Sequence, residues 1–177
     1  MVFTEFLEMA ESQFGDDAVD DLLDQTELES GGVYTAVGYY SATELGTLVS
    51  GLSCQQGVCP HHLVTDFGGH LFDKFKAGYP DFFTGVDSLF DFLEQVETVI
   101  HVEVRKLYPD AELPRFESRR ENDCLIFDYF SPRGLGDLAE GLIRSAIEHF
   151  GESVDVDRLD IAPAPAAHTR FTLTPRS

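Results

Sequence analysis

The segment DYFSPRGL, residues 128–135, carries hydrogen-bond donors at alternate positions, namely Tyr129, Ser131 and Arg133. Side chains alternate across an extended strand, so these three would project from one face. Arginine offers a planar fork that matches a carboxylate, and the two hydroxyl groups add further donors. The spacing therefore indicates a receptor for acidic oxygens, although the ordinary polar face of a strand would show the same pattern.

A second candidate is His101, in the segment VIHVEVRKLYPDAELPRF. It borders the inward face of a predicted helix, with Val104 three residues further on. A lone histidine in this position is often a core residue bonded to a carbonyl group, and that interpretation stays open. A neutral imidazole is also the usual protein ligand of haem iron. The two haem propionates would then need donors such as those of residues 129–133.

Cysteine and histidine residues cluster in CQQGVCPHH, where Cys54, Cys59, His61 and His62 lie close together in sequence. These residue types could bind a second metal ion. The spacing is not a common zinc pattern, however, and adjacent histidines cannot easily coordinate the same ion. A loop at the start of a helix is the favoured interpretation, with a metal site as the alternative.

Composition limits the classes of partner. The 177 residues, 43% of them hydrophobic, suffice for the core of one domain, which we expect to span residues 1–177. A net charge of -20 disfavours nucleic acid and anionic lipid as partners. No apolar run reaches the roughly 18 residues of a membrane span, and the acidic first residues do not resemble a secretory signal. Three cysteines favour a reducing cytoplasm over a disulfide framework.

The positioning elements follow from hydrophobic periodicity. Apolar residues at three- and four-residue spacing predict helices over about 3–14, 16–25, 41–52, 61–78 and 86–107, with Ser41 and Glu44 forming a capping box. The stretch VYTAVGYY is expected to be extended. Along the long helix the predicted inward side carries six residues, Leu89, Leu93, Val96, Val99, Ile100 and Val104.

The last third has a different pattern. RFESRRENDCLIFDYFS predicts two strands around a polar turn at residues 121–123, and GLGDLAEGLIRSAIEHFGE predicts an amphipathic helix. SVDVDRLDI and HTRFTLTP alternate like half-buried strands. These elements predict an α+β fold, in which a helical N-terminal part packs on a C-terminal antiparallel sheet with helices.

With these residues in place, the sequence resembles the haem nitric oxide/oxygen-binding (H-NOX) family, whose domain is also the sensor of soluble guanylate cyclase. The segment IHVEVRKLYPDAELPRF, the triplet Tyr129-x-Ser131-x-Arg133 and the helix after it carry the resemblance, which extends over nearly the whole chain. It implies a ferrous b-type haem between the helical part and the sheet. His101 would be the proximal iron ligand, the triplet would hold the propionates, and Pro114 would press on the haem and tune it.

The resemblance also implies a choice of gas. Oxygen-binding members carry a donor tyrosine on the helix after the triplet, where this sequence has Leu138. The other positions that match the distal wall are Phe6, Leu71, Phe75 and Leu142, and none of these side chains can donate a hydrogen bond. Dioxygen would lack its main stabilisation, whereas nitric oxide needs none. We therefore expect a sensor that binds nitric oxide, with carbon monoxide as a second ligand, and excludes oxygen.

By the same resemblance, the chain would be of the stand-alone bacterial type and signal to a separate effector, a histidine kinase or a cyclic-di-GMP enzyme. Two alternatives belong to other classes. One is a haem enzyme, against which the absence of an acid–base pair among the pocket candidates counts. The other is a haem-free interaction domain of the same fold, against which the intact His101 and triplet count.

Overall fold

The computed structural model describes residues 2–35, 38, 40–107 and 112–176. The helices of the N-terminal part are α1 (Val2–Phe14), α2 (Asp16–Gln25), α3 (Ala42–Gln56) and α4 (Pro60–Gly78), followed by a 3-10 turn at Pro80–Phe83. Next come α5 (Leu89–Gln95), a π-helical turn (Val96–Ile100) and α6 (His101–Leu107), one directly after the other. The strands β1 (Arg115–Glu121) and β2 (Cys124–Ser131) precede α7 (Gly136–Phe150), and β3 (Val154–Ala162) and β4 (Ala167–Pro175) follow it.

The four strands form one antiparallel sheet in the order β1-β2-β4-β3. Strands β1 and β2 make a hairpin in which Glu121 faces Cys124, so the connecting turn has two residues. Its first residue, Asn122, has a φ of 55°, a conformation that asparagine tolerates better than most residues. The predicted α+β architecture, with helices ahead of an antiparallel sheet, is confirmed.

Two hydrophobic clusters lie on either side of α7. The first is built from α1 to α4, and the second from the inner face of the sheet with α5 and α7. Leu142 of α7 packs against both clusters. Helix α7 therefore joins the helical part to the sheet, and any group held between the two parts must contact it.

Helices α4 and α7 cross in direct backbone contact. A Cβ atom added to Gly141 would lie 2.0 Å from the carbonyl oxygen of Thr65 and 2.9 Å from the Cα of Gly68. A Cβ atom on Gly68 would lie 2.6 Å from the carbonyl oxygen of Leu138. Only glycine at both positions allows the two helices to approach this closely.

Serine side chains cap two of the helices. Ser41 accepts a hydrogen bond from the backbone N–H of Thr43 at the start of α3, and Ser88 accepts one from Asp91 at the start of α5. Glu44 does not complete the capping box that the sequence predicts. It is buried and accepts hydrogen bonds from Tyr34 and Ser30 instead, so only the serine half of that prediction is confirmed.

The prediction for the long helix needs correction. The long helix begins at Leu89 rather than near Val86, and its π turn displaces the residues that follow it relative to an unbroken α-helix. Val99, expected inside, is therefore 41% exposed. In the stretch 33–40, the described residues 33–35, 38 and 40 belong to no helix or strand, and residues 36, 37 and 39 lie outside the described part.

Among the helices of the described residues, none combines the length and the apolar character needed to cross a lipid bilayer.

Candidate functional site

His101 is the first residue of α6 and is 8% exposed. Its Nδ1 atom lies 3.1 Å from Oε2 of Glu97, one turn earlier. A neutral imidazole that donates from Nδ1 keeps the lone pair on Nε2, the atom that can coordinate a metal ion. A carboxylate behind the ring is the usual outer partner of a metal-binding histidine, because it fixes both the tautomer and the ring orientation.

The protonation states of His101 and Glu97 suit a metal-binding histidine with a carboxylate partner. Burial lowers the pKa of His101, and the nearby Glu97 offsets only part of this effect. Burial would raise the pKa of Glu97, but hydrogen bonds from Arg105, the backbone N–H of Phe116 and His101 outweigh it and lower the pKa. At neutral pH the imidazole is therefore neutral, the form that binds a metal, and the carboxylate is ionised.

The π turn places His101 on the inner side of its helix. The backbone N–H of His101 donates to the carbonyl oxygen of Val96, five residues earlier, which is the wide spacing of a π turn. As a result, Val99 and Val102 lie on the exposed side while His101 between them is buried. Single π turns are frequent at functional sites, where they re-aim one side chain.

The donor triplet is only partly on one face. Tyr129 and Ser131 are both buried on the same face of β2, as predicted, but the strand ends at Ser131 and Arg133 lies in the turn that follows. The Ser131 hydroxyl accepts a hydrogen bond from the backbone N–H of Arg133, which folds the turn back onto the strand end. The Tyr129 hydroxyl accepts one from the backbone N–H of Leu135.

Burial raises the pKa of Tyr129, and the hydrogen bonds with Ser131 and the Leu135 backbone only partly counteract it. Tyr129 is therefore a neutral phenol that can donate its proton. Its link to Leu135, which immediately precedes α7, also replaces a side-chain cap at the start of that helix. The triplet and the helix that carries Leu138 and Leu142 are thus held together.

The guanidinium of Arg133 forms an ion pair with Glu112. Its Nη2 lies 2.8 Å from Oε2 of Glu112, and its Nη1 donates to the backbone carbonyl of the same residue at 3.0 Å. Glu112 is largely exposed, with 77% of its side chain accessible. One arm of the Arg133 guanidinium therefore holds a carboxylate oxygen and the other a backbone carbonyl oxygen, and an exposed ion pair of this kind contributes little to stability.

Phe116 connects the histidine to the triplet. It lies opposite Tyr129 in the β1–β2 pair, with ring centroids 5.5 Å apart, and its ring lies 5.6 Å from that of His101. Pro114 is half-buried two residues before Phe116. His101 and Tyr129, which are distant in sequence, therefore both lie against the ring of Phe116.

The five residues expected on the distal wall all belong to the first hydrophobic cluster. Phe6 of α1 and Leu71 of α4 are buried, whereas Phe75, Leu138 and Leu142 are partly buried and pack against them. The structure thus brings together all five predicted positions, from three different helices. Each of these side chains is a hydrocarbon without a hydrogen-bond donor.

The alternative metal site near the cysteines is not formed. Cys54 and Cys59 are free and exposed, and Nδ1 of His61 pairs with Asp137 at 3.0 Å. Within residues 2–35, 38, 40–107 and 112–176, three potential ligand atoms converge only at Glu5, Glu8 and His70. Lys74 forms ion pairs with both of these acids and offsets part of their charge.

Three contributors to the site were not predicted from the sequence. Glu97 could have been found, since a carboxylate four residues before a helical histidine is a familiar pairing. Phe116 and Glu112 show no such signal, because their roles depend on strand pairing and on the turn after β2. Asp128, inside the quoted segment, is also buried and binds Arg170, His168 and Arg119 on the opposite face of β2.

Comparison with known proteins agrees with this geometry. Residues 1–158 match the Haem-NO-binding family. The fold superposes on the Fe(II) unliganded H-NOX protein from K. algicida with a TM-score of 0.92 and 34% identity, over 99% of this chain and 95% of that one.

An H-NOX protein from Shewanella woodyi, solved bound to IWP-051 in the Fe(II)CO state, is 37% identical with a TM-score of 0.83, over 99% of this chain and 93% of that one. An H-NOX protein from S. oneidensis in the Fe(II)NO state, 24% identical, shares the fold with a TM-score of 0.86, over 99% of this chain and 98% of that one. No curated protein matched the sequence. The chain belongs to the haem-NO-binding (H-NOX) family, whose members bind haem and act as gas-sensor domains.

Proposed function

We propose that this chain binds a ferrous b-type haem and senses nitric oxide while excluding dioxygen. The observation that carries the proposal is the state of His101: a buried, neutral imidazole whose Nδ1 is engaged by Glu97, so that Nε2 is available to iron. When bound, the haem supplies an iron atom that can take a diatomic gas as a ligand. The side chains around the haem would hold its propionates and determine which gas binds.

The ligand and donor side chains of the site fit a haem. His101 would hold the iron, and Tyr129, Ser131 and Arg133 would hold the propionates. Tyr129 and Ser131 are buried donors, and the Arg133 fork already holds a carboxylate, that of Glu112. A propionate would replace Glu112 in that fork. Pro114 is half-buried just before β1. It would press on the porphyrin and keep it from being planar.

The distal residues determine which gas is bound. Phe6, Leu71, Phe75, Leu138 and Leu142 belong to one hydrophobic cluster, offer no donor, and would line the side of the haem opposite His101. Dioxygen depends on a nearby donor for much of its affinity, whereas nitric oxide and carbon monoxide do not. This supports selective binding of nitric oxide, with carbon monoxide as a second ligand.

The chain also has a route by which a change at His101 could reach the surface. Glu97 accepts a hydrogen bond from the backbone N–H of Phe116 at 3.1 Å, so it ties the histidine helix to the start of β1. A shift of His101 would therefore pull on Glu97 and, through it, on the start of β1 next to Pro114. Such a switch needs contacts that differ between two states, and we propose the hydrogen bonds of Glu97 to His101 and Phe116 as those contacts.

We propose that residues 1–177 act as one domain, since β4 pairs with both β2 and β3 in the same sheet, and that this domain works in the cytoplasm. The signal would pass to a separate effector, a histidine kinase or a cyclic-di-GMP enzyme. The net charge of -20 favours an effector with a basic surface, which would also be attracted at long range.

The experiment replaces the iron ligand. His101→Gly should abolish haem binding in unsupplemented medium, and free imidazole should restore it, because imidazole can occupy the space of the lost ring. His62→Ala, at an exposed histidine of α4, is the matched control and should bind haem like the wild type. The assignment is wrong if His101→Gly retains an unchanged haem spectrum without imidazole.

A further inference from the structure

We propose that Glu97 is the positioning residue that sets the strength of the bond between His101 and iron, and with it how readily nitric oxide displaces the histidine. This inference rests on the proposed function and deepens it. It assigns a tuning role on the proximal side to one hydrogen bond of this chain.

Glu97 is held in place by three donors. Its Oε2 lies 3.1 Å from both His101 Nδ1 and the backbone nitrogen of Phe116, and its Oε1 lies 3.0 Å from Nη2 of Arg105. Such an arrangement leaves the carboxylate little freedom to rotate away from the imidazole. The residue lies in the π turn, so the same local geometry that turns His101 inward also places its partner beneath it.

The effect on the imidazole follows from elementary electrostatics. A carboxylate that accepts the Nδ1 proton draws that proton away from the ring and raises the electron density at Nε2. A more electron-rich Nε2 is a stronger ligand. The histidine should therefore resist displacement by a gas on the opposite side more than it would without Glu97.

Arg105 opposes this effect. Its guanidinium draws charge toward Oε1 of Glu97 and weakens the carboxylate as an acceptor for the imidazole proton. Removal of Arg105 and removal of Glu97 should thus change the iron–histidine bond in opposite directions. A general loosening of this helix would instead weaken the bond in both variants.

The test compares purified wild type, Glu97→Met, Glu97→Gln and Arg105→Met in the ferrous, gas-free form. Resonance Raman spectroscopy gives the iron–histidine stretching frequency, and stopped-flow absorption spectroscopy after addition of nitric oxide gives the time for which the histidine is retained. Glu97→Met should lower both quantities. Glu97→Gln, which keeps an acceptor but loses the charge, should give intermediate values, and Arg105→Met should raise them.

The outcomes separate the inference from the function on which it rests. A wild-type chain that takes up no haem overturns both. Haem-loaded proteins in which neither Glu97 variant moves the stretching frequency overturn the role of Glu97 alone, and so does a downward shift in Arg105→Met equal to that in Glu97→Met. If Glu97→Met does not fold, the comparison of Glu97→Gln with Arg105→Met decides by the same signs.

Discussion

Replacement of Gly141 by alanine should separate α4 and α7, the two helices that carry most of the proposed distal wall. The added methyl group would lie 2.0 Å from the carbonyl oxygen of Thr65, whereas ordinary van der Waals contact begins at 3.4 Å. Helix α4 would have to move from α7 by about 1.4 Å, the difference between these distances. The obstacle is backbone rather than a flexible side chain, so no rotamer change can relieve it.

The expected cost can be placed on a scale. Forcing an extra methyl group into a packed interior costs roughly 1–3 kcal/mol, while alanine in a helix regains about 1 kcal/mol relative to glycine. Because the two backbones are so close, we expect the cost of the extra methyl group to lie at the upper end of this range. The free energy of unfolding should then fall by about 2 kcal/mol. For a domain of this size, that loss lowers Tm by roughly 4–8 °C.

The matched control is Gly46→Ala, in the middle of α3, where an added Cβ meets nothing within 4 Å. This variant should gain about 0.5–1 kcal/mol from helix propensity alone. Thermal unfolding followed by circular dichroism on both variants provides the assay. If Gly141→Ala is as stable as the wild type, α4 and α7 do not cross as closely as described, and the account of the distal wall fails with it.

Three further predictions address the charges and donors of the site. Asp128→Asn should lose about 1–3 kcal/mol at pH 7, because Arg170 and His168 lose a buried partner. Burial would raise the pKa of Asp128, but Arg170 and His168 lower it, so its stabilising effect is present above the unfolded value near 3.9 and fades as pH falls. The urea midpoints of mutant and wild type should therefore converge below about pH 4, and a constant gap would contradict this. Arg133→Met should speed haem transfer to an apo-globin several-fold, whereas Arg176→Met at the end of the sheet should not. Leu138→Tyr should form a dioxygen complex that is visible in the absorption spectrum in air, whereas the wild type should form none, and a variant that still binds no dioxygen would show that position 138 does not face the bound gas.

Much of the fold could be predicted because periodicity and burial agree. The stripe of Phe3, Phe6 and Ala10 is buried in α1, and the polar turn between β1 and β2 falls at Asn122, within the predicted residues 121–123. These signals are local, since each depends on a few neighbouring residues and on the direction in which their side chains point.

The parts that were missed depend on contacts between distant residues. The π turn before His101 is not visible in the spacing of apolar residues, so Val99 was expected on the wrong side of the helix. Glu44 has the spacing of a capping residue, but the hydroxyl of Tyr34 provides a buried partner for it. Arg133 has the alternation of a strand residue, but β2 ends two residues earlier. In each case tertiary structure outweighs the local pattern.

The central claim is that His101 and the hydrocarbon wall opposite form a site for nitric oxide and not for dioxygen. The visible absorption spectrum of the reduced, haem-loaded protein tests it most directly, with air and nitric oxide added separately. We expect the Soret band to shift with nitric oxide to the position of a five-coordinate complex without histidine, and to stay unchanged on brief exposure to air. A stable oxygen complex would contradict the assignment of Leu138 and its neighbours.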